Sequence, residues 1–97
     1  MKLFAVRDVK SESYGAPMSI ATRGLALRSF GDACCSPSSE LGKYPKDYML
    51  YELGEYDPNS GVIVSHKVPV FIQSATEAID QAKASAVQMG PSVEVSS

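Results

Sequence analysis

Lys43-Tyr44-Pro45-Lys46 places an aromatic ring between two cations. That arrangement suits a ring stacking on a nucleobase while flanking ammonium groups engage phosphates. The same four residues also make an ordinary surface loop. Tyr48, Tyr51 and Tyr56 recur along one stretch just downstream. They could form a stacking platform on a sheet, as single-strand binders use. The competing reading is that at least one ring, Tyr51, fills the core against a helix.

The charges are unevenly divided. Residues 1–46 carry seven Lys/Arg against four Asp/Glu, whereas residues 47–97 carry two against seven. Arg7, Lys10, Arg23, Arg28, Lys43 and Lys46 therefore form either a modest basic patch or a set of scattered solvated charges. The net charge of −2 argues against bulk phosphate neutralisation as the main activity. The resulting candidate DNA contacts are Arg7, Arg23, Arg28, Lys43, Tyr44, Lys46, Tyr48 and Tyr56.

Other chemistry finds little support. His66 has no Cys or Ser partner nearby in sequence and reads as a solvated strand-end histidine. Glu52 and Glu55 fall on opposite faces of a strand, a poor basis for a paired-carboxylate site. Asp57 is better placed to order its own turn than to bind metal. Cys34 and Cys35 are adjacent, so a disulfide between them would be strained. With a single histidine, the usual four Cys/His zinc ligands cannot be assembled from one chain. The expectation is a protein that is not an enzyme, with no metal and no cofactor. Charges at Lys2, Arg7 and Asp8 leave no apolar run for a signal peptide, and no segment approaches the ~20 apolar residues of a membrane span. A soluble, intracellular protein is expected.

These residues need elements to hold them. Lys2–Val9 predicts a first strand, with Phe4 and Val6 on one face and Leu3, Ala5 and Val9 on the other. Residues 11–21, containing Gly15 and Pro17, read as a connection. Thr22 predicts the N-cap of a helix over Arg23–Cys35, with Ala26, Leu27, Phe30, Ala33 and Cys34 as its buried stripe. Arg28 and Asp32, four apart, are spaced to pair on its outer side. Ser36–Pro45 reads as a loop. Asp47–Tyr56 predicts a long strand, Pro58-Asn59-Ser60-Gly61 a hairpin turn, and Val62–His66 the return strand. Pro69 interrupts Lys67–Ile72, which reads as an edge strand or an extended connection. Ser74 and Glu77 form a capping box for a second helix over Ala75–Met89, with Ala75, Ala78, Ile79, Ala82 and Ala86 inward. Gly90-Pro91 should end it, leaving a flexible tail over 91–97.

The expected fold class is α/β (α+β): a small mixed sheet of three to four strands with two helices packed on it, in the order β-α-β-β-(β)-α. A crossover through the first helix would set the first strand parallel to the second. A single globular domain over 1–90 follows from the length.

Three segments carry a family resemblance: Met1–Asp8, Gly24–Phe30 with its Arg28-Ser29-Phe30, and Leu50–Gly61 beginning Leu50-Tyr51-Glu52-Leu53-Gly54. Over roughly residues 1–72 the chain resembles the small nonstructural protein of gokushoviruses, microviruses with circular single-stranded DNA genomes. The resemblance implies a phage protein of the host cytoplasm that acts in genome replication. It would promote single-strand synthesis by binding single-stranded DNA, the phage replication initiator, or both. The resemblance brings no catalytic residues with it. A protein-interaction adaptor docking on the initiator or on a host replication factor is the alternative, and a homo-oligomer would serve either role.

Overall fold

The computed structural model describes the backbone of residues 1–96 and the side chains of residues 1–85. The chain forms β1 (Lys2–Asp8), β2 (Ser13–Tyr14), β3 (Met18–Ile20), α1 (Arg23–Cys35), α2 (Glu40–Lys43), a 3-10 turn (Pro45–Asp47), β4 (Tyr48–Tyr56), β5 (Ile63–Ser74) and α3 (Ala75–Ser96). The α+β class expected from the sequence holds, with five strands and three α-helices among the described residues.

The sheet is not mixed. Every hydrogen-bonded neighbour pair is antiparallel, and the strands run β2-β1-β4-β5 with β3 also on β1. The strand that enters α1 is β3, not β1. Residues 11–21 are not a bare connection: they return along β1 as β2 and β3, two pieces of one edge separated by Gly15, Ala16 and Pro17. Gly15 N–H donates to the Val6 carbonyl at 2.8 Å and keeps the break pinned to β1. Because β1 is antiparallel to both β3 and β4, those two run parallel with β1 between them. The crossover through α1 therefore joins β3 to β4, and β1 fills the gap. Short strands broken by Gly and Pro leave no alternation long enough to be read as period two.

α1 forms where its signals stand. The Thr22 hydroxyl accepts from the Leu25 N–H at 3.1 Å, satisfying one of the unpaired amides of the first turn. Ala26, Phe30 and Cys34 recur at four-residue spacing and are buried. They pack with Phe4 and Leu50 from the sheet and with Ala75 and Ala78 from α3. The predicted Arg28–Asp32 ion pair does not form among the described residues. At α3 the capping box is reciprocal: Glu77 N–H donates to the Ser74 hydroxyl and Ser74 N–H to the Glu77 carboxylate. Gly90-Pro91 does not end α3, whose helical backbone runs to Ser96. A proline removes one donor and crowds the carbonyl four residues back, which bends a helix as readily as it stops one. Ala86 of the expected inward stripe and the residues of the expected tail, 91–97, lie outside the described side chains.

β5 is one strand, not a return strand plus a fragment. Glu52 lies opposite Val70 and Gly54 opposite Ser65, so His66-Lys67-Val68-Pro69 bulge out against Leu53 alone. The bulge frees Pro69 from supplying a ladder N–H. The hairpin turn matches expectation: Asp57 accepts from Asn59 N–H at 2.9 Å, and Gly61 takes φ 76°.

Candidate nucleic-acid interface

The register of β4 decides which rings are available. Leu50 and Glu52 are buried, and Leu50 packs in the core with the helices, so Tyr51 between them points to the other face. Tyr51 is therefore not the core ring expected of it; Tyr48, two positions before Leu50, is the tyrosine that packs against the core. Burial, then the charges of Asp8, Glu40 and Asp47, push the Tyr48 phenol above its ordinary pKa. Those carboxylates make its surroundings unfavourable to a phosphate.

Of the remaining candidates, the structure brings together Lys43, Tyr44 and Lys46. They sit where α2 passes into the 3-10 turn, around one shallow depression shared with Pro45 and Asp47. Ser39 builds this corner: its hydroxyl accepts from Gly42 N–H at 3.1 Å and donates to the Ala33 carbonyl at 2.6 Å. Tyr44 is 55% exposed, and neither lysine forms an ion pair among the described residues. Asp8, Glu40 and Asp47 line the adjoining depression together with Lys10, so carboxylates border the corner.

The other candidates are dispersed. Tyr56 closes β4 at the hairpin, beside Met1, Pro58 and Val62. Arg28 lies between α1 and α3, next to Asp32 and Gln81. Arg23 is engaged in an ion pair. It donates from Nε and Nη2 to one oxygen of Glu52, at 3.2 and 3.0 Å, while His66 Nε2 lies 2.7 Å from the other oxygen. Lys2 Nζ approaches that second oxygen at 3.9 Å. Glu52 is only 3% exposed. Burial pushes its carboxyl up, but the hydrogen bonds to His66 and Arg23 and the charges of Arg23 and Lys2 outweigh this and hold it below the ordinary value. His66 is thus half-buried and partnered, not the free strand-end histidine expected. Its partner lies fourteen residues away across a bulge, a pairing that no sequence spacing encodes.

The cysteines are free, with Cys34 buried and Cys35 exposed. Burial, then the neighbouring Cys35, raises the Cys34 thiol to about 11, which leaves it inert near neutrality. No group of three His, Cys, Asp or Glu side chains suited to a metal ion occurs among the described residues. No helix among them is long and apolar enough to cross a membrane.

The face of the sheet opposite the helices carries a feature missed in the sequence. Tyr14 of β2, Tyr51 of β4 and Phe71 of β5 form a row across the strands. Ring centroids are 5.5 Å apart for Tyr14–Tyr51 and 5.8 Å for Tyr51–Phe71, each pair meeting nearly at right angles. Arg7 places its guanidinium carbon 5.1 Å from the Tyr14 ring centre. Between Tyr14 and Tyr51 lies Ala5, fully buried, whose methyl lets the rings meet above it. Tyr14 was hidden because it sits in a segment read as a loop, and Phe71 because Pro69 obscured its strand.

A two-layer α+β domain whose helices cover one face of an antiparallel sheet, with aromatic side chains on the other, is the class of protein these features define. The family model of the Phage ORF5 protein matches residues 1–78, and the chain belongs to that family. No curated protein and no solved structure matches it.

Proposed function

We propose that this phage protein is a nonstructural accessory factor in single-stranded DNA genome replication of gokushovirus type, binding single-stranded DNA without catalysis in the host cytoplasm. The observation that carries this reading is the corner at Lys43, Tyr44 and Lys46, an exposed ring between two cations that form no ion pair among the described residues. The ring supplies a stacking surface for one base and the lysines engage the adjoining phosphates. The test is a titration of labelled single-stranded and duplex oligonucleotides at two salt concentrations. Single-strand preference that weakens with salt is expected, and Tyr44→Ala should cost roughly 1–3 kcal/mol. Absence of binding at micromolar protein would refute it.

A second reading has its own observation. Val62, Ile63, Val64 and Val68 are all exposed on or beside β5, the outer strand of the sheet, whose far edge carries no neighbour among the described residues. Such an edge suits an adaptor that pairs with a strand of the replication initiator or a host factor. Recovery of the initiator on immobilised protein, lost in Val64→Lys, would favour this reading.

A further inference from the structure

We propose that the open face of the sheet is the principal base-stacking site, with single-stranded DNA laid across Tyr14, Tyr51 and Phe71 and a phosphate held by Arg7. This rests on the DNA-binding reading above and moves its centre from the loop to the sheet.

Three observations converge on it. The ends of the row are exposed, Phe71 to 48% and Tyr14 to 40%, with Tyr51 half-buried between them, whereas Phe4 and Leu50 on the other face are buried. The rings meet edge to face, a contact that occupies one ring face where a stacked pair would occupy two, so flat surfaces remain for bases. Arg7 is beside the row, over Tyr14, and forms no ion pair among the described residues.

The chemistry selects single strands. A duplex keeps its bases stacked on each other, whereas a single strand can splay them onto aromatic rings. Stacking is tolerant of sequence because every base has a flat face. An acidic protein can bind in this way, since stacking supplies affinity that a −2 chain cannot draw from charge alone. The spacing of the rings across β2, β4 and β5 sets the strand roughly perpendicular to the β-strands.

The test uses the full chain and labelled oligo(dT), with anisotropy as the readout and urea unfolding as the control for folding. Phe71→Ala should weaken binding about tenfold, the effect of losing one stacked base, while Phe71→Tyr and Tyr51→Phe should keep it. Arg7→Gln should weaken binding and flatten its salt dependence. A purely structural row would behave differently: Phe71→Ala would lower the urea midpoint and leave affinity unchanged, overturning the proposal. Equal affinity for duplex would overturn it as well. Wild-type binding that depends on Tyr44 and Lys46 but not on Phe71 would refute the sheet site and leave the loop standing. Absence of wild-type binding to any single strand would refute the DNA-binding reading itself.

Discussion

Glu52 is the residue on which local charge balance turns. It sits on the core side of β4, a position where an uncompensated carboxylate would not be tolerated. Arg23 from the first turn of α1 and His66 from the β5 bulge take its two oxygens, tying helix and sheet together. The folded-state pKa is held below the ordinary 4.5, so its stabilisation is present above that value and lost as pH falls through the folded one. Glu52→Gln should cost about 1–3 kcal/mol near neutrality and flatten the acid limb of stability. Urea unfolding across a pH series reads both effects. Tyr51 teaches a related lesson: alternation placed it opposite Leu50 in the sequence too, yet which face meets the helices was settled by where Phe4, Phe30 and Leu50 gather.

Among the elements, the β4–β5 hairpin carries the clearest constraint. Gly54 of β4 lies opposite Ser65, where β5 enters its bulge, and a Cβ there would collide with the Val64 carbonyl and crowd the Ser65 Cα. Backbone, not a movable side chain, is in the way. Gly54→Ala should destabilise the fold by about 1–3 kcal/mol, measurable as a lowered midpoint in thermal or urea unfolding. Unchanged stability would show that the two strands separate easily at that point. α1, the hairpin turn and the start of α3 were legible because each has a local signal: the Thr22 cap, Asp57 with Gly61, and the Ser74–Glu77 box. α2 was not, since its four residues show too little periodicity and owe their place to Ser39 and to Gly42 packed under the end of α1.

For the whole molecule, the exposed edge of β5 predicts self-association. Strands with apolar side chains and unpaired backbone groups recruit a further strand, here tempered by Lys67, Pro69 and the bulge that interrupts the edge. Light scattering on a dilution series should show a weak oligomer at high concentration that Val64→Lys disperses. A strict monomer at all concentrations would refute self-association through this edge.

The sequence by itself determined the α+β class, the span of α1, the hairpin turn and the N-terminal caps of α1 and α3, because these rest on periodicity and on contacts within a few residues. It also marked the lysine–tyrosine corner, whose members are neighbours in the chain. Only the tertiary structure decided the antiparallel order, the insertion of β1 between β3 and β4, the Glu52–Arg23–His66 cluster and the Tyr14–Tyr51–Phe71 row. The β1–β3 pairing, the Glu52 cluster and the aromatic row join residues fourteen or more positions apart, and such pairings are set by which apolar faces can be buried together.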